Sequence, residues 1–261
     1  MGRMIAVVNQ KGGVGKTTTA INLAAGLALA ERSTMLVDLD PQSNATTGLG
    51  VSKHGDFLTI YPALLGREPM ARAVRPTGLP YLSLLPSEPD LVGAEVELVS
   101  MPHREGRLKD GLAPLAGEFG FVIVDCPPSL SLLTINALAA ADSVLIPLQC
   151  EYYALDGLAQ LTKTVRAVRD RLNPSLRVEG ILLTMFDGRT SLAGQVRAEV
   201  QQHFGAQLFE TLIPRNIRVS EAPSHGKPVI AHDLRSTGAI AYLELTKEVL
   251  AHDQAGVGPR T

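Results

Sequence analysis

Short apolar runs alternate with longer amphipathic stretches along the chain, and the alternation predicts the elements. Met4–Asn9 (MIAVVN), Thr34–Leu39 (TMLVDL), Leu82–Pro86, Phe119–Asp125 (FGFVIVD), Ser143–Pro147 and Val178–Met185 are too short for buried helices and end at Gly, Pro, Asp or Asn, so they predict strands. Apolar residues at helical spacing predict helices over Thr18–Ala30, Leu58–Leu65, Pro89–Ser100, Arg104–Ala116, Ser131–Ala141, Leu155–Leu172, Ser191–Phe204 and Thr237–Ala251. Pro41 stops the second strand, and polar Gln42–Thr47 reads as a continuing loop. Strands that carry apolar residues at every position and alternate with helices imply an α/β fold. Its mostly parallel central sheet is flanked by helices on both faces, with right-handed crossovers. The reading is one domain over residues 1–253, with 254–261 as a disordered tail.

The turn between the first strand and the first helix carries Lys11–Thr17 (KGGVGKT), which makes this a P-loop NTPase fold. Gly12, Gly13 and Gly15, with Val14 between them, leave the backbone N–H groups free to face phosphate oxygens at a helix N-terminus. Lys16 would bridge the β- and γ-phosphates of ATP, Thr17 would offer its hydroxyl to Mg²⁺, and Thr18 would reach the α-phosphate. The loop departs from GxxxxGK[ST], because Gln10 stands where glycine belongs and Lys11 follows it. A second cation so near Lys16 is expected to face phosphate of another site, as a face-to-face dimer would supply.

Hydrolysis needs a carboxylate near the metal and a group that orients water. Asp125 ends the apolar strand FVIVD and fits the metal position. Asp38 and Asp40 alternate in VDLDP and lean toward the same crevice. Asp40, nearest the strand's carboxyl end, is the candidate for activating water, whereas Asp38 reads equally as a contact of the metal's water and as a structural residue.

Composition changes this picture little. Hydrophobic residues make up 45% of the chain and aromatics only 4%, which suits a Val/Leu/Ile/Ala core between sheet and helices. A net charge of -2 excludes a protein that coats nucleic acid by being basic throughout, so any DNA binding must come from a local patch. Cys126 and Cys150 lack metal-ligand spacing and read as structural thiols in a reducing compartment. Neither a membrane span nor a signal peptide is legible, which predicts a cytoplasmic protein.

KGGVGKT, VDLDPQ and VIVDCPP, in this order, resemble the ParA/Soj family of partition ATPases, within the deviant Walker A class that includes MinD and the nitrogenase iron protein. LTMFDGRT (Leu183–Thr190) and IPRNIRVSEAPSHGKP (Ile213–Pro228) extend the resemblance over nearly the whole chain, with Ser43 departing from the family's usual glycine. The resemblance implies a homodimer that sandwiches ATP, with Lys11 reaching across and Gly12 allowing close approach. It makes Asp40 the water-activating residue, assigns Pro214 and Asn216 to the adenine pocket, and puts Arg189 and Arg218 in a patch for nonspecific double-stranded DNA. It further implies a ParB-type partner that stimulates slow hydrolysis, and association with the nucleoid in the ATP state. Because the chain opens at the phosphate-loop strand, no operator-reading domain is expected. The alternative is a MinD-like positioning ATPase on a membrane or protein cargo, although the tail AHDQAGVGPRT lacks the amphipathic anchor of such a switch.

Overall fold

The computed structural model describes residues 2–52 and 56–254. Seven strands form one sheet: β1 (Arg3–Val7), β2 (Thr34–Asp38), β3 (Arg75–Pro76), β4 (Leu82–Leu85), β5 (Phe121–Asp125), β6 (Ser143–Gln149) and β7 (Arg177–Thr184), in the order β3-β4-β2-β5-β1-β6-β7. Every pairing is parallel except β3 with β4, so the predicted parallel α/β sheet is present with a two-residue antiparallel edge.

The helices are α1 (Lys16–Leu29), α2 (Asn44–Gly48), α3 (Ile60–Leu64), α4 (Met70–Ala73), α5 (Val92–Val99), α6 (Arg107–Leu112), α7 (Leu132–Ala140), α8 (Ala154–Arg171), α9 (Ser191–Phe204), α10 (Ile217–Glu221), α11 (Val229–His232) and α12 (Thr237–Gln254). Strand periodicity divides the interior into two cores. Met4 and Ala6 of β1, Met35 and Val37 of β2, and Val122 and Val124 of β5 face one core, where α5 to α9 pack. Ile5, Val7, Leu36, Phe121 and Ile123 face the other, under α1 and α12. Both faces are therefore dry, which is why the strands read as unbroken apolar runs.

Several boundaries differ from the pattern reading. The expected loop Gln42–Thr47 holds α2, because the buried Asp38 carboxylate accepts the Thr46 N–H at 2.7 Å and so satisfies a first-turn amide from eight residues away. The helix expected over Arg104–Ala116 shrinks to α6, and Pro114 sits in the 3-10 turn Ala113–Leu115 that follows it. Pro89–Ser100 likewise begins as a 3-10 turn before α5. The first helix starts at Lys16, two residues earlier than its apolar spacing suggests, which puts Thr17 and Thr18 in its first turn. The tail reading for residues 255–261 lies outside the described residues.

Candidate nucleotide site

The loop between β1 and α1 lies at the carboxyl ends of the parallel strands, where β5 and β6 flank β1. Gly13 and Gly15 adopt φ of 76° and 86°, values that side chains resist, and a Cβ added at Gly12 or Gly13 would meet no atom within 4 Å. The rim of the loop is thus open. Its base is pinned from two strands: Asn9 Nδ2 donates to the Pro147 carbonyl at 2.7 Å while Asn9 Oδ1 accepts the Lys11 N–H at 3.0 Å, and Thr184 Oγ1 donates to the Val14 carbonyl at 2.8 Å.

The two lysines diverge. Lys16 is buried, with Nζ donating to the Lys11 carbonyl at 2.8 Å. Burial lowers its ammonium below the ordinary lysine range, and the charges of Asp125 and Asp40 oppose that shift. Lys11 points outward and pairs with Glu151, both half exposed.

Asp38 and Asp125 stand in register on adjacent parallel strands, and strand periodicity turns both toward the face covered by α1. β2 ends at Asp38, so Asp40 lies in the following turn instead of on the strand; it is still buried, and Gln42 N–H donates to its Oδ1 at 2.9 Å. Asp38 is saturated: Oδ1 accepts the Asp40 N–H at 3.2 Å, and Oδ2 accepts both the N–H and the hydroxyl of Thr46 at 2.7 Å. Burial pushes its carboxyl up to about 7 against the pull of these bonds.

Asp125 is the opposite case. It is fully buried, and neither carboxylate oxygen has a hydrogen-bond partner among the described residues. Burial first, and repulsion by Asp38 next, raise its carboxyl well above the ordinary range; the nearby Thr17 hydroxyl and Lys16 ammonium oppose this without the hydroxyl reaching bonding geometry. An orphaned buried carboxylate beside a threonine hydroxyl is a donor set that fits a hard divalent cation such as Mg²⁺. Among the described residues, no group of three or more His, Cys, Asp and Glu could hold a metal, so the protein would supply few ligands to such an ion. Cys126 follows Asp125 as a buried free thiol that burial pushes upward, so it is inert, and Cys150 is also free.

Beside the loop, a cavity of about 370 Å³ brings Gly15 and Thr18 together with Thr184, Pro214, Asn216 and Tyr242. Pro214 is held there by a bridge to Phe186, while Asn216 caps α10 by accepting the Arg218 and Val219 N–H groups at 2.8 and 3.3 Å. The two residues expected at the base therefore share one cavity with the phosphate loop.

Residues 2–178 match the family described as an AAA domain. The chain is 59% identical to the chromosome partitioning protein ParA of Myxococcus xanthus, over 97% of this chain and 89% of that protein. The chain belongs to the ParA/Soj family of chromosome-partitioning ATPases. It is also 52% identical to the sporulation initiation inhibitor protein Soj of Bacillus subtilis, over 97% of this chain and all of that protein. Among solved structures, cobyrinic acid a,c-diamide synthase of Mycobacterium smegmatis, with bound ATP analogue and magnesium, superposes with a TM-score of 0.87 at 38% identity, covering 100% of this chain and 99% of that one.

For this ParA/Soj chain, the two arginines of the expected DNA patch are both exposed and both already paired. Arg189 forms a two-pronged bond with Asp187, at 2.8 and 2.7 Å, and Arg218 meets Glu221 at 3.0 Å and Asp233 at 3.4 Å. The Arg189 guanidinium holds the Asp187 carboxyl down at about 2. Pattern reasoning missed these pairings, as it missed Glu151, Asn9, Thr46 and Thr184. Asn9, Thr46 and Thr184 lie inside or beside the quoted motifs, but their partners lie elsewhere: Pro147 on β6 for Asn9, Asp38 at the end of β2 for Thr46, and Val14 of the phosphate loop for Thr184. Ser87, which bonds back to Asp40, sits past a weakly patterned strand and carries no sequence signal at all. No helix among the described residues is long and apolar enough to cross a membrane.

Proposed function

We propose that this ATPase binds Mg²⁺ and ATP in the loop of Gly12, Gly13, Val14, Gly15, Lys16, Thr17 and Thr18, with Pro214 and Asn216 against the adenine. The observation that carries the reading is the open glycine loop set beside the partnerless carboxylate of Asp125. Thr17 and Asp125 would hold the metal, and Asp38, whose oxygens are taken by Thr46 and Asp40, would act beside them as an anchor more than as a ligand. The metal, when bound, neutralises charge on the β- and γ-phosphates. Lys16 binds those phosphates, and Asp40, with one oxygen fixed by the Gln42 N–H, orients the attacking water through the other. The bound ATP analogue and magnesium of the M. smegmatis relative, which shares the fold at 38% identity, support the assignment.

Lys11 leaves Glu151 to reach the phosphates of a second copy, so ATP makes the homodimer. The dimer binds double-stranded DNA without sequence preference through Arg189 and Arg218, and doubling the patch raises avidity. A ParB-type partner stimulates slow hydrolysis and releases the DNA. The protein works in the cytoplasm and sits on the nucleoid in its ATP state.

The test is binding to a random-sequence duplex with ADP, with ATP, and with ATP at rising salt, for wild-type and Arg218→Glu protein. Binding that needs ATP, weakens with salt and fails in the variant is expected. ATP hydrolysis without any ATP-dependent DNA binding would retain the ATPase and move the cargo to a protein or membrane.

A further inference from the structure

We infer that Thr46 and Ser87 are positioning residues for Asp40, which they hold in a closed ring of buried hydrogen bonds anchored on Asp38. The ring begins and ends on the backbone of Asp40. Its N–H donates to Asp38 Oδ1 at 3.2 Å, and Asp38 Oδ2 accepts the Thr46 hydroxyl at 2.7 Å. The Thr46 oxygen in turn accepts the Ser87 N–H at 3.0 Å, and the Ser87 hydroxyl donates to the Asp40 carbonyl at 2.8 Å. Asp38, Thr46 and Ser87 are all 0% exposed.

The arrangement spends buried polar groups from three separate segments, the end of β2, helix α2 and the turn after β4, on the two peptide groups of one coil residue. Coil residues ordinarily leave such groups to water. Fixing both the N–H and the C=O of Asp40 fixes the backbone from which its carboxylate projects. Gln42 then occupies Oδ1, and Oδ2 has no hydrogen-bond partner among the described residues. Each hydroxyl serves as a link: the Thr46 hydroxyl donates to Asp38 while its oxygen accepts from Ser87, and loss of either hydroxyl opens the ring. A group that aligns water must be held to within a fraction of an ångström, and displacement of about 1 Å can lower rates about a hundredfold.

The inference rests on the reading of Asp40 as the water-orienting residue, so the experiment carries Asp40→Ala alongside. Thr46→Val, Thr46→Ser, Ser87→Ala and Asp40→Ala are compared with wild type in steady-state phosphate release, in equilibrium binding of Mg·ATP, and in melting temperature. Thr46→Val and Ser87→Ala are expected to lower kcat by about tenfold or more while KM and nucleotide affinity stay within about twofold, and Thr46→Ser is expected to return kcat toward wild type. Wild-type kcat in Thr46→Val and Ser87→Ala, with Asp40→Ala inactive, overturns the ring and leaves the role of Asp40 standing. Loss of kcat and nucleotide affinity in parallel, without recovery in Thr46→Ser, marks the ring as structural and overturns it too. An Asp40→Ala protein that hydrolyses ATP at the wild-type rate removes both readings. Ser87→Ala leaves the Asp38–Thr46 bonds in place, so it decides the matter if Thr46→Val fails to fold.

Discussion

The partnerless carboxylate of Asp125 should make the nucleotide-free protein less stable than it need be, and Asp125→Asn tests this. The substitution keeps the size of the side chain and removes its charge. In the folded chain Asp125 is fully buried, has no hydrogen-bond partner among the described residues, and stands in register with Asp38. A buried polar group without a partner costs about 1–3 kcal/mol, and more if it is charged. Asparagine keeps an orphaned amide but loses the charge and the repulsion from Asp38, so the variant should gain about 1–3 kcal/mol. At about 2–4 °C per kcal/mol for a domain of this size, the melting temperature rises by roughly 2–12 °C.

The pH dependence has a definite sign. The folded carboxyl lies well above its ordinary 3.8, so its contribution to stability is complete only below that value and is lost as pH rises toward the folded pKa. The gap between variant and wild type should therefore widen as pH rises above 3.8 toward the folded pKa. The assay is calorimetry in chelator-treated buffer, repeated with Mg²⁺ and a non-hydrolysable ATP analogue. Ligand should raise the melting temperature of wild type and lose most of that effect in the variant, since binding to the native state alone is what stabilises it. A variant that melts below wild type without nucleotide, or that keeps the full metal-dependent shift, would refute the reasoning.

Two further substitutions probe the supports of the site. Thr184→Val keeps the shape but leaves the Val14 carbonyl of the phosphate loop without its 2.8 Å donor, so stability should fall by about 1–3 kcal/mol and nucleotide affinity should weaken with it; melting and Mg·ATP titration read both. Unchanged values would mean the loop does not depend on β7. Glu179 lies at the other end of the sheet, where it accepts bonds from Ser143 at 2.7 Å, Arg3 at 2.5 Å and His252 at 3.2 Å. Burial alone would raise its carboxyl, but His252, Arg3 and Ser143 together hold it below 4.5, so its stabilisation is present above that value and is lost as pH falls through the folded pKa. Glu179→Gln should flatten the acid limb of the stability profile; an acid limb identical to wild type would show that other carboxylates control it.

Legibility in the sequence followed the range of the interactions. The strands around Met4–Asn9, Phe119–Asp125 and Val178–Met185 could be read because both faces of the sheet are buried, so each residue in turn had to be apolar. The phosphate loop was readable because its function depends on residues adjacent in sequence. Helix α2 was not, because one of its first-turn amides is satisfied by the Asp38 side chain eight residues back and its polar composition resembles that of a loop. The same limit hid the ring around Asp40: Thr46 and Ser87 lie 41 residues apart and meet only because β4 pairs with β2. Range does not explain the arginines: Arg189 pairs with Asp187 two residues away and Arg218 with Glu221 three away, and only Asp233 reaches Arg218 from farther along the chain, yet no pattern in either motif marks these pairs.

The pairing of Lys11 bears on how the proposed switch could work. Two ammonium groups in one short loop would repel one another if both faced the phosphate cradle, and the fold avoids this by turning Lys16 inward onto the Lys11 carbonyl and Lys11 outward onto Glu151. The loop can therefore hold its shape before any anion arrives, which lowers the ordering cost of nucleotide binding. Both members of the Lys11–Glu151 pair are about half exposed, at 50% and 41%, so water and salt screen it and it is worth only about 0–1 kcal/mol. In the proposed dimer, a triphosphate on the second copy, carrying several charges, would compete easily with one solvated carboxylate. If Arg189 and Arg218 bind DNA as proposed, its phosphates must displace Asp187, Glu221 and Asp233, of which Asp187 holds Arg189 by two bonds. In the proposed switch, Lys11, Arg189 and Arg218 each start paired with an acid of their own chain, so a second copy or a DNA duplex must outcompete those acids, and the avidity of a dimer would supply that advantage.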